Sequence, residues 1–369
     1  MEFFLLRVKR GRKIANRLLI VYNSSIMFNP GYAITSKLLS NIKKITELVS
    51  ALNHQRFPRV ILSDLEKKAR ALSSHSSTSI EGNRLPLTEV KRILKSNPKN
   101  LAVSQKEVIN YNQALLELNR LVKKDSLNLT MSLILKIQKQ IMAGLIAPYR
   151  WGKLRNEPVF VNNPTTGQPI YLPPDQREVK PLMEDLLRFV KDNTGIIDPI
   201  ILAGIFHKQL VIIHPFIDGN GRTARLATKM LLAKLGVNTF NLFSFENYYN
   251  QNVTKYFQSV GVFGNYYEVI DSIDFTSWLE YFSEGIIDEL ARVKTQLEAA
   301  SAPLMIIKPH YQVILNHIKK TGFITNREYA GLTKRAKPTR NIDFNNLIRL
   351  GLIERKGKGR SAYYQLKSG

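Results

Sequence analysis

Residues 214–225 read HPFIDGNGRTAR, and the rest of the chain is organised around them. His214 offers an imidazole that titrates near neutral pH and can take a proton from a nucleophile. Asp218 offers one hard oxygen ligand, suited to Mg²⁺ held jointly with phosphate oxygens. Gly219, Asn220 and Gly221 make a side-chain-poor turn whose backbone N–H groups can converge on an anion at a helix start. From Arg222 to Gly236 the apolar residues Leu226, Met230 and Leu231 fall at helical spacing. Arg222 and Arg225 therefore share one face of the first turn. Two guanidiniums at the positive end of a helix dipole are unfavourable unless a polyanion sits there. The set describes a nucleotide phosphate site with a general base beside it. It is not a P-loop, because no GxxxxGK[ST] occurs. A turn before a solvated basic helix would explain a GNG alone, but not His, acid, GNG and two Arg in this order.

The stretch resembles the Fic family motif, HxFx(D/E)GNGRxxR, at every fixed position, and the resemblance extends over roughly residues 27–300. It implies transfer of AMP from ATP to a Ser, Thr or Tyr hydroxyl of a protein, this chain included, with Mg²⁺. It also implies roles. His214 is the base and Asp218 the metal carboxylate. Gly219, Asn220 and Gly221 steady the α-phosphate, with Asn220 taking part in catalysis. Arg222, Thr223, Ala224 and Arg225 contact the nucleotide, the two arginines on its β- and γ-phosphates. Phe216 points into the core to fix the loop.

Upstream, SSHSSTSIEGNRL contains Ser77, Glu81, Gly82 and Asn83. These match the family's inhibitory signature, [S/T]xxxE[G/N]. Glu81 should end a helix, with Gly82 as its stop. A carboxylate at a helix C-terminus opposes the dipole and needs a cation. Arg225 is the candidate, which would take it from the γ-phosphate. His75 reads as a surface or packing residue. Between Val159–Val161 and Ile170–Leu172, the segment NNPTTGQP predicts a hairpin. It resembles the Fic flap, whose edge holds a target peptide by strand addition. His207 lies seven residues before His214, but no HExxH or third ligand accompanies it, so it reads as a packing and hydrogen-bonding residue.

Downstream, Tyr256-Phe257-Gln258-Ser259-Val260 resembles the family's YYxxL segment on the adenine side, with Phe257 in place of the second tyrosine. Tyr256 and Asn265 are nucleotide-contact candidates by that resemblance. Further helices are expected over 34–52, 60–72, 88–96, 104–123, 128–144, 176–193, 199–213 and 275–297. Ala300-Ser301-Ala302-Pro303 marks a boundary. Beyond it, three helices and a basic hairpin, LIERKGKGRSAYYQL, resemble a winged helix-turn-helix. Arg340 and Asn341 would face a groove, with Arg355, Lys356, Lys358 and Arg360 on phosphates.

The 369 residues lack cysteine, which excludes disulfides, thiol catalysis and cysteine metal sites and fits a reducing cytoplasm. The formal charge is +25; residues 301–369 hold 14 Lys/Arg against 3 Asp/Glu, and residues 1–26 hold 6 against 1. The basic excess thus lies at the ends, which points to nucleic acid at the C-terminal module. No run approaches a membrane span. The expected fold is mainly α: residues 1–26 a tail or over-extended start, 27–100 an N-terminal helical region with the inhibitory helix, 101–300 the catalytic core with its β-hairpin flap, and 301–369 the winged helix. Two other functions stay open, removal of AMP and a DNA-binding regulator with a nucleotide-sensing core. A homodimer also stays open.

Overall fold

The structure is a computed structural model that describes residues 28–367, apart from 56, 58, 97, 99, 124–127, 163–165, 238, 240, 306–307 and 358. The expected tail and Lys358 lie outside the described residues, as does the side chain of Arg360.

The chain is mainly helical. Helices α1 (Ser36–Asn53), α2 (Arg59–Ile80), α3 (Leu87–Ser96), α4 (Val103–Lys123) and α5 (Met131–Met142) precede the flap strands β1 (Val161–Asn162) and β2 (Pro169–Leu172). Then come α6 (Val179–Asn193), α7 (Pro199–Ile213), α8 (Asn220–Lys234), α9 (Glu246–Gln251), α10 (Val253–Val260), strand β3 (Gly264–Asn265), α11 (Tyr266–Val269) and α12 (Thr276–Met305). Local chemistry sets the starts. The Thr35 and Thr130 side chains cap α1 and α5, and Asp198 caps α7 with Pro199 at its first position.

Helix α7 is apolar and buried almost all round, as a helix at the centre of a domain must be. It packs against α6, α8 and α12. Its core continues through Phe206, Phe216, Leu226, Phe245, Trp278 and Phe282. Thus α7 and α8 are fixed on several sides, and the loop between them, residues 214–219, is held at both ends.

Two expectations change, and one holds beyond its apolar signal. The periodicity ends at Leu72, yet α2 runs unbroken to Ile80, so that Glu81 and Gly82 follow its end as expected, with Ser73, Ser74, Ser76, Ser77 and Thr78 all buried. Ser74 and Thr78 return their hydroxyls to the carbonyls of Arg70 and Ser74, so these groups need no water inside the protein. The flap is more than a hairpin: β2 pairs antiparallel with β1 and parallel with β3, giving the order β1-β2-β3. The boundary expected at residues 300–303 falls within α12, which runs on to Met305.

Beyond it lie α13 (Pro309–Thr321), β4 (Ile324–Thr325), α14 (Asn326–Leu332), α15 (Lys337–Arg349), β5 (Ile353–Lys356) and β6 (Tyr363–Leu366). The strands form an antiparallel sheet in the order β4-β6-β5. A separate core holds them, centred on Tyr329, Phe344 and Tyr364, with the last two rings stacked at 3.9 Å. Asp343, 1% exposed, is gripped by both Nε and Nη2 of Arg335 and by the Tyr329 hydroxyl.

Candidate active site

Helix α7 ends at His214, which adopts a left-handed turn, φ 49° and ψ 60°. Such a backbone is disfavoured for a residue with a Cβ. Here it turns the chain out of α7 while the ring Nδ1 stays 3.3 Å from the Val211 carbonyl. Read as a donor bond, that contact leaves the Nε2 lone pair free. Burial pushes the imidazole pKa down to about 4, against the opposing pull of the Val211 carbonyl, Glu81 and Asp218. The ring is therefore neutral at pH 7 and able to accept a proton.

The turn into α8 uses both glycines. Gly219 has φ +83°, and a Cβ there would lie 2.8 Å from the Met142 sulfur. A Cβ on Gly221 would collide with Glu81 Oε1. The first amides of α8, at Asn220, Gly221 and Arg222, have no intrahelical acceptor, as at any helix start. That leaves donors and the positive dipole end facing Glu81.

Glu81 follows the last turn of α2, and its Oε1 lies 2.6 Å from Arg225 Nη2. Arg225 is fully buried. It also gives Nε to Ser77 Oγ at 2.8 Å, Nη2 to the Ser77 carbonyl at 2.9 Å and Nη1 to the Tyr256 hydroxyl at 3.4 Å. Burial raises the Glu81 carboxyl pKa, but Arg225 and Arg222 together outweigh it and leave the pKa below its ordinary value. Arg222 is buried too, 3.3 Å from Glu107 Oε1 and 3.2 Å from Asp218 Oδ1. Both arginines that the sequence assigns to phosphates are thus already paired with carboxylates.

Asp218 is half exposed, 51% at the side chain. Its Oδ1 takes the Gly219 amide and Arg222, and its Oδ2 has no partner among the described residues. Among those residues, no three His, Cys, Asp or Glu side chains converge as a metal cage. One open carboxylate oxygen is nevertheless the donor set that Mg²⁺ uses when substrate phosphates complete its shell. The residues fit the ion in that mode.

Several expected contact residues have partners within the protein. The Asn220 side chain is turned back on the loop, with Nδ2 on the Phe216 carbonyl and Oδ1 on the Phe216 amide. It braces the turn. Phe216 itself is buried. Thr223 and Ala224 are also fully buried, and the Thr223 amide is spent on the Gly219 carbonyl. Tyr256 is 1% exposed, stacked on Tyr249 and bonded to His207 Nε2 at 3.0 Å. Its hydroxyl also lies 3.4 Å from Arg225 Nη1, so Tyr256 supports that guanidinium. Asn265 caps α11 through the Tyr267 amide, and its backbone pairs with Leu172 of the flap. His207 is buried between Thr228 and Tyr256, and burial pushes its pKa down to about 3.

Sequence reasoning did not find three residues that build the site. Glu107 of α4 holds Arg222 and accepts Asn83 Nδ2 at 2.6 Å. Gln138 of α5 donates to the Asp218 carbonyl at 3.1 Å and accepts the Gly152 amide at 2.6 Å. Arg155 bonds the His214 carbonyl. The last two act on backbone carbonyls, which leave no trace in residue spacing.

Known proteins share sequence and fold with this chain. The sequence model of the Fic/DOC family matches residues 128–232. The chain is 30% identical over 208 residues to the Caenorhabditis elegans protein adenylyltransferase fic-1, an overlap covering 55% of this chain and 39% of that protein. It spans less than half the length of the curated relatives it matches. The fold is shared with a Fic family protein from Desulfovibrio desulfuricans G20, at a TM-score of 0.61 and 19% identity over 93% of this chain and 99% of that one. It is also shared with the structure of Caenorhabditis elegans Fic-1, at a TM-score of 0.57 and 23% identity over 71% and 73% of the two chains.

Proposed function

We propose that this chain, whose residues 128–232 match the sequence model of the Fic/DOC family, transfers AMP from ATP to a hydroxyl of a protein and is held off by Glu81. One observation carries the reading: a neutral, half-buried His214 and an open Asp218 flank the start of α8, while Glu81 occupies the arginine beside them. The names of the curated relatives support AMP as the transferred group.

In this mechanism the acceptor hydroxyl gives its proton to His214 Nε2 as its oxygen attacks the α-phosphorus. The bond from that phosphorus to the bridging oxygen breaks, and pyrophosphate leaves. The α8 amides face the oxygens on which negative charge builds, which stabilises the transition state. Arg222 and Arg225 would orient the β- and γ-phosphates once released from Glu107 and Glu81. Asp218 would hold Mg²⁺, which supplies charge neutralisation at the phosphates. The acceptor would dock on the outer edge of β1, because β3 already covers the other edge of the flap.

Mass spectrometry of the full chain and of mixed acceptor proteins, after incubation with Mg²⁺ and each nucleotide in turn, tests the reading. AMP adducts from ATP are expected. Adducts only from another nucleotide would change the donor. Loss of a preformed AMP adduct without gain of a new one would support removal, with Glu81, 30% exposed, placing a water.

The C-terminal unit has the helices and antiparallel hairpin of a winged helix, and we assign it to DNA. Arg355 and Lys356 are exposed on β5. Arg340 and Asn341 are not free to read bases, because Arg340 bonds Asn326 and the Arg335 carbonyl, and Asn341 bonds Asn326. Binding should therefore be phosphate-driven. Its affinity should fall steeply with salt, because Lys and Arg displace condensed counterions. Duplex-binding titrations of the full chain between 50 and 200 mM salt, roughly the range over which six to ten contacts lose about 10³–10⁵ in affinity, would read the number of contacts. A salt-independent interaction would assign the unit to protein contact instead. No described helix is long and apolar enough to cross a membrane.

A further inference from the structure

We propose that Arg155 is a positioning residue that fixes the general base and the root of the flap to one another. The proposal rests on the reading of His214 as the base. Arg155 is 4% exposed. Its amide donates to the Pro215 carbonyl at 2.9 Å, and its Nε donates to the His214 carbonyl at 2.8 Å. Nη2 donates to the Pro174 carbonyl at 2.5 Å, and Nη1 to the Glu157 carbonyl at 3.3 Å.

Buried arginines are ordinarily matched by a carboxylate. Among the described residues, Arg155 has no carboxylate at ion-pair distance. Its described hydrogen bonds all run to backbone carbonyls, in three separate pieces of chain. A charged fork spent in this way holds backbone geometry. Of the three carbonyls the guanidinium reaches, one is that of His214, at the left-handed turn that ends α7, and the Arg155 main-chain amide holds the next carbonyl, Pro215. Another, Pro174, lies just past β2. The Tyr171 hydroxyl of β2 also reaches the Ile212 carbonyl at 3.0 Å. The strand next to the docking edge and the base are therefore tied together by two side chains, of which only Arg155 touches the base residue itself.

The consequence is a fixed separation between a hydroxyl carried on the flap and Nε2 of His214. Reacting groups misplaced by about 1 Å lose on the order of a hundredfold in rate. Lysine keeps the charge but is a single point donor and cannot replace the planar fork. Burial is the main cause of the low His214 pKa, and the Arg155 charge adds to it against Glu81 and Asp218.

The test compares full-length Arg155→Lys and Arg155→Ala with wild type. The readouts are thermal melting, ATP affinity by calorimetry, kcat and KM for AMP transfer, and the His214 titration by NMR. Arg155→Lys should melt near wild type and keep its ATP affinity and its KM for ATP. Its kcat should fall by about ten- to a hundredfold, for the geometric reason above. Arg155→Ala should also raise the His214 pKa toward its ordinary value, whereas Arg155→Lys should leave it closer to the wild-type value. An unchanged kcat in Arg155→Lys would overturn the proposal, as would a rate loss that merely follows a loss of ATP affinity. If wild type transfers no AMP, the proposed function fails. The His214 titration then still reports whether Arg155 acts on that residue, and no change in Arg155→Ala would overturn that link on its own. If the alanine variant does not fold, the lysine variant decides.

Discussion

His214→Ala is expected to slow AMP transfer by roughly 10²–10⁴, the usual contribution of a positioned general base, equivalent to about 3–5 kcal/mol of barrier. ATP affinity should persist, because the amides of α8 and both arginines remain. The measurement is the initial rate of AMP incorporation beside a calorimetric ATP titration. A parallel fall in both would mean that the ring supports the phosphate site rather than the proton transfer. The pH profile gives a second, independent check. A base with its pKa lowered to about 4 is neutral, and so active, above that value. It loses function as pH falls through it. The acid limb of kcat/KM should therefore lie near pH 4 rather than near 6.5, the ordinary histidine value. Removing the negative charge of Glu81, which opposes the lowering, should move that limb no higher.

What the sequence made legible was local. His214, Asp218 and Gly219–Arg225 lie within one loop and one helical turn, so residue type and spacing carry their roles. The pair Glu81–Arg225 is separated by 144 residues, and only the family resemblance joined them. Tyr256 shows what pattern leaves open at middle range. An aromatic run marks a residue as half-apolar, but not whether its hydroxyl faces a ligand or a buried guanidinium. Here it faces Arg225 and His207. Asn220 is open in the same way, because an amide can satisfy its own loop as well as a phosphate, and here it takes Phe216. In α2, Ser73–Thr78 broke the apolar period although the helix continued. Buried hydroxyls bonded to the preceding turn or to a neighbouring helix look polar in sequence and behave as core. The same stretch anchors a further buried contact, from Ser73 to Lys229 of α8, whose ammonium also meets the buried Glu246.

Glu81→Gly is expected to raise AMP transfer, and Arg225→Ala is not, although both remove the same ion pair. The difference lies in what stays behind. Without Glu81, Arg225 keeps Ser77 Oγ, the Ser77 carbonyl and the Tyr256 hydroxyl, so its guanidinium remains where a γ-phosphate needs it. The carboxylate that crowds Gly221 is gone, and the start of α8 is open to the triphosphate. A hydrogen bond to a charged group contributes about 1.5–3 kcal/mol. Glu81 is 30% exposed, which places the contribution at the lower end, since solvent screens such a pair. Release should thus increase the rate by about tenfold. Arg225→Ala opens the same space but removes the phosphate partner and leaves Tyr256, Ser77 and Glu81 without their cation, so the rate should fall and the fold should weaken. Arg222 gives an internal control, because Glu107 and Asp218 still hold it in Glu81→Gly. The measurement is the initial rate at saturating ATP and Mg²⁺ for wild type and both variants. No gain in Glu81→Gly would refute the inhibitory role and favour Glu81 as the group that places a water for AMP removal.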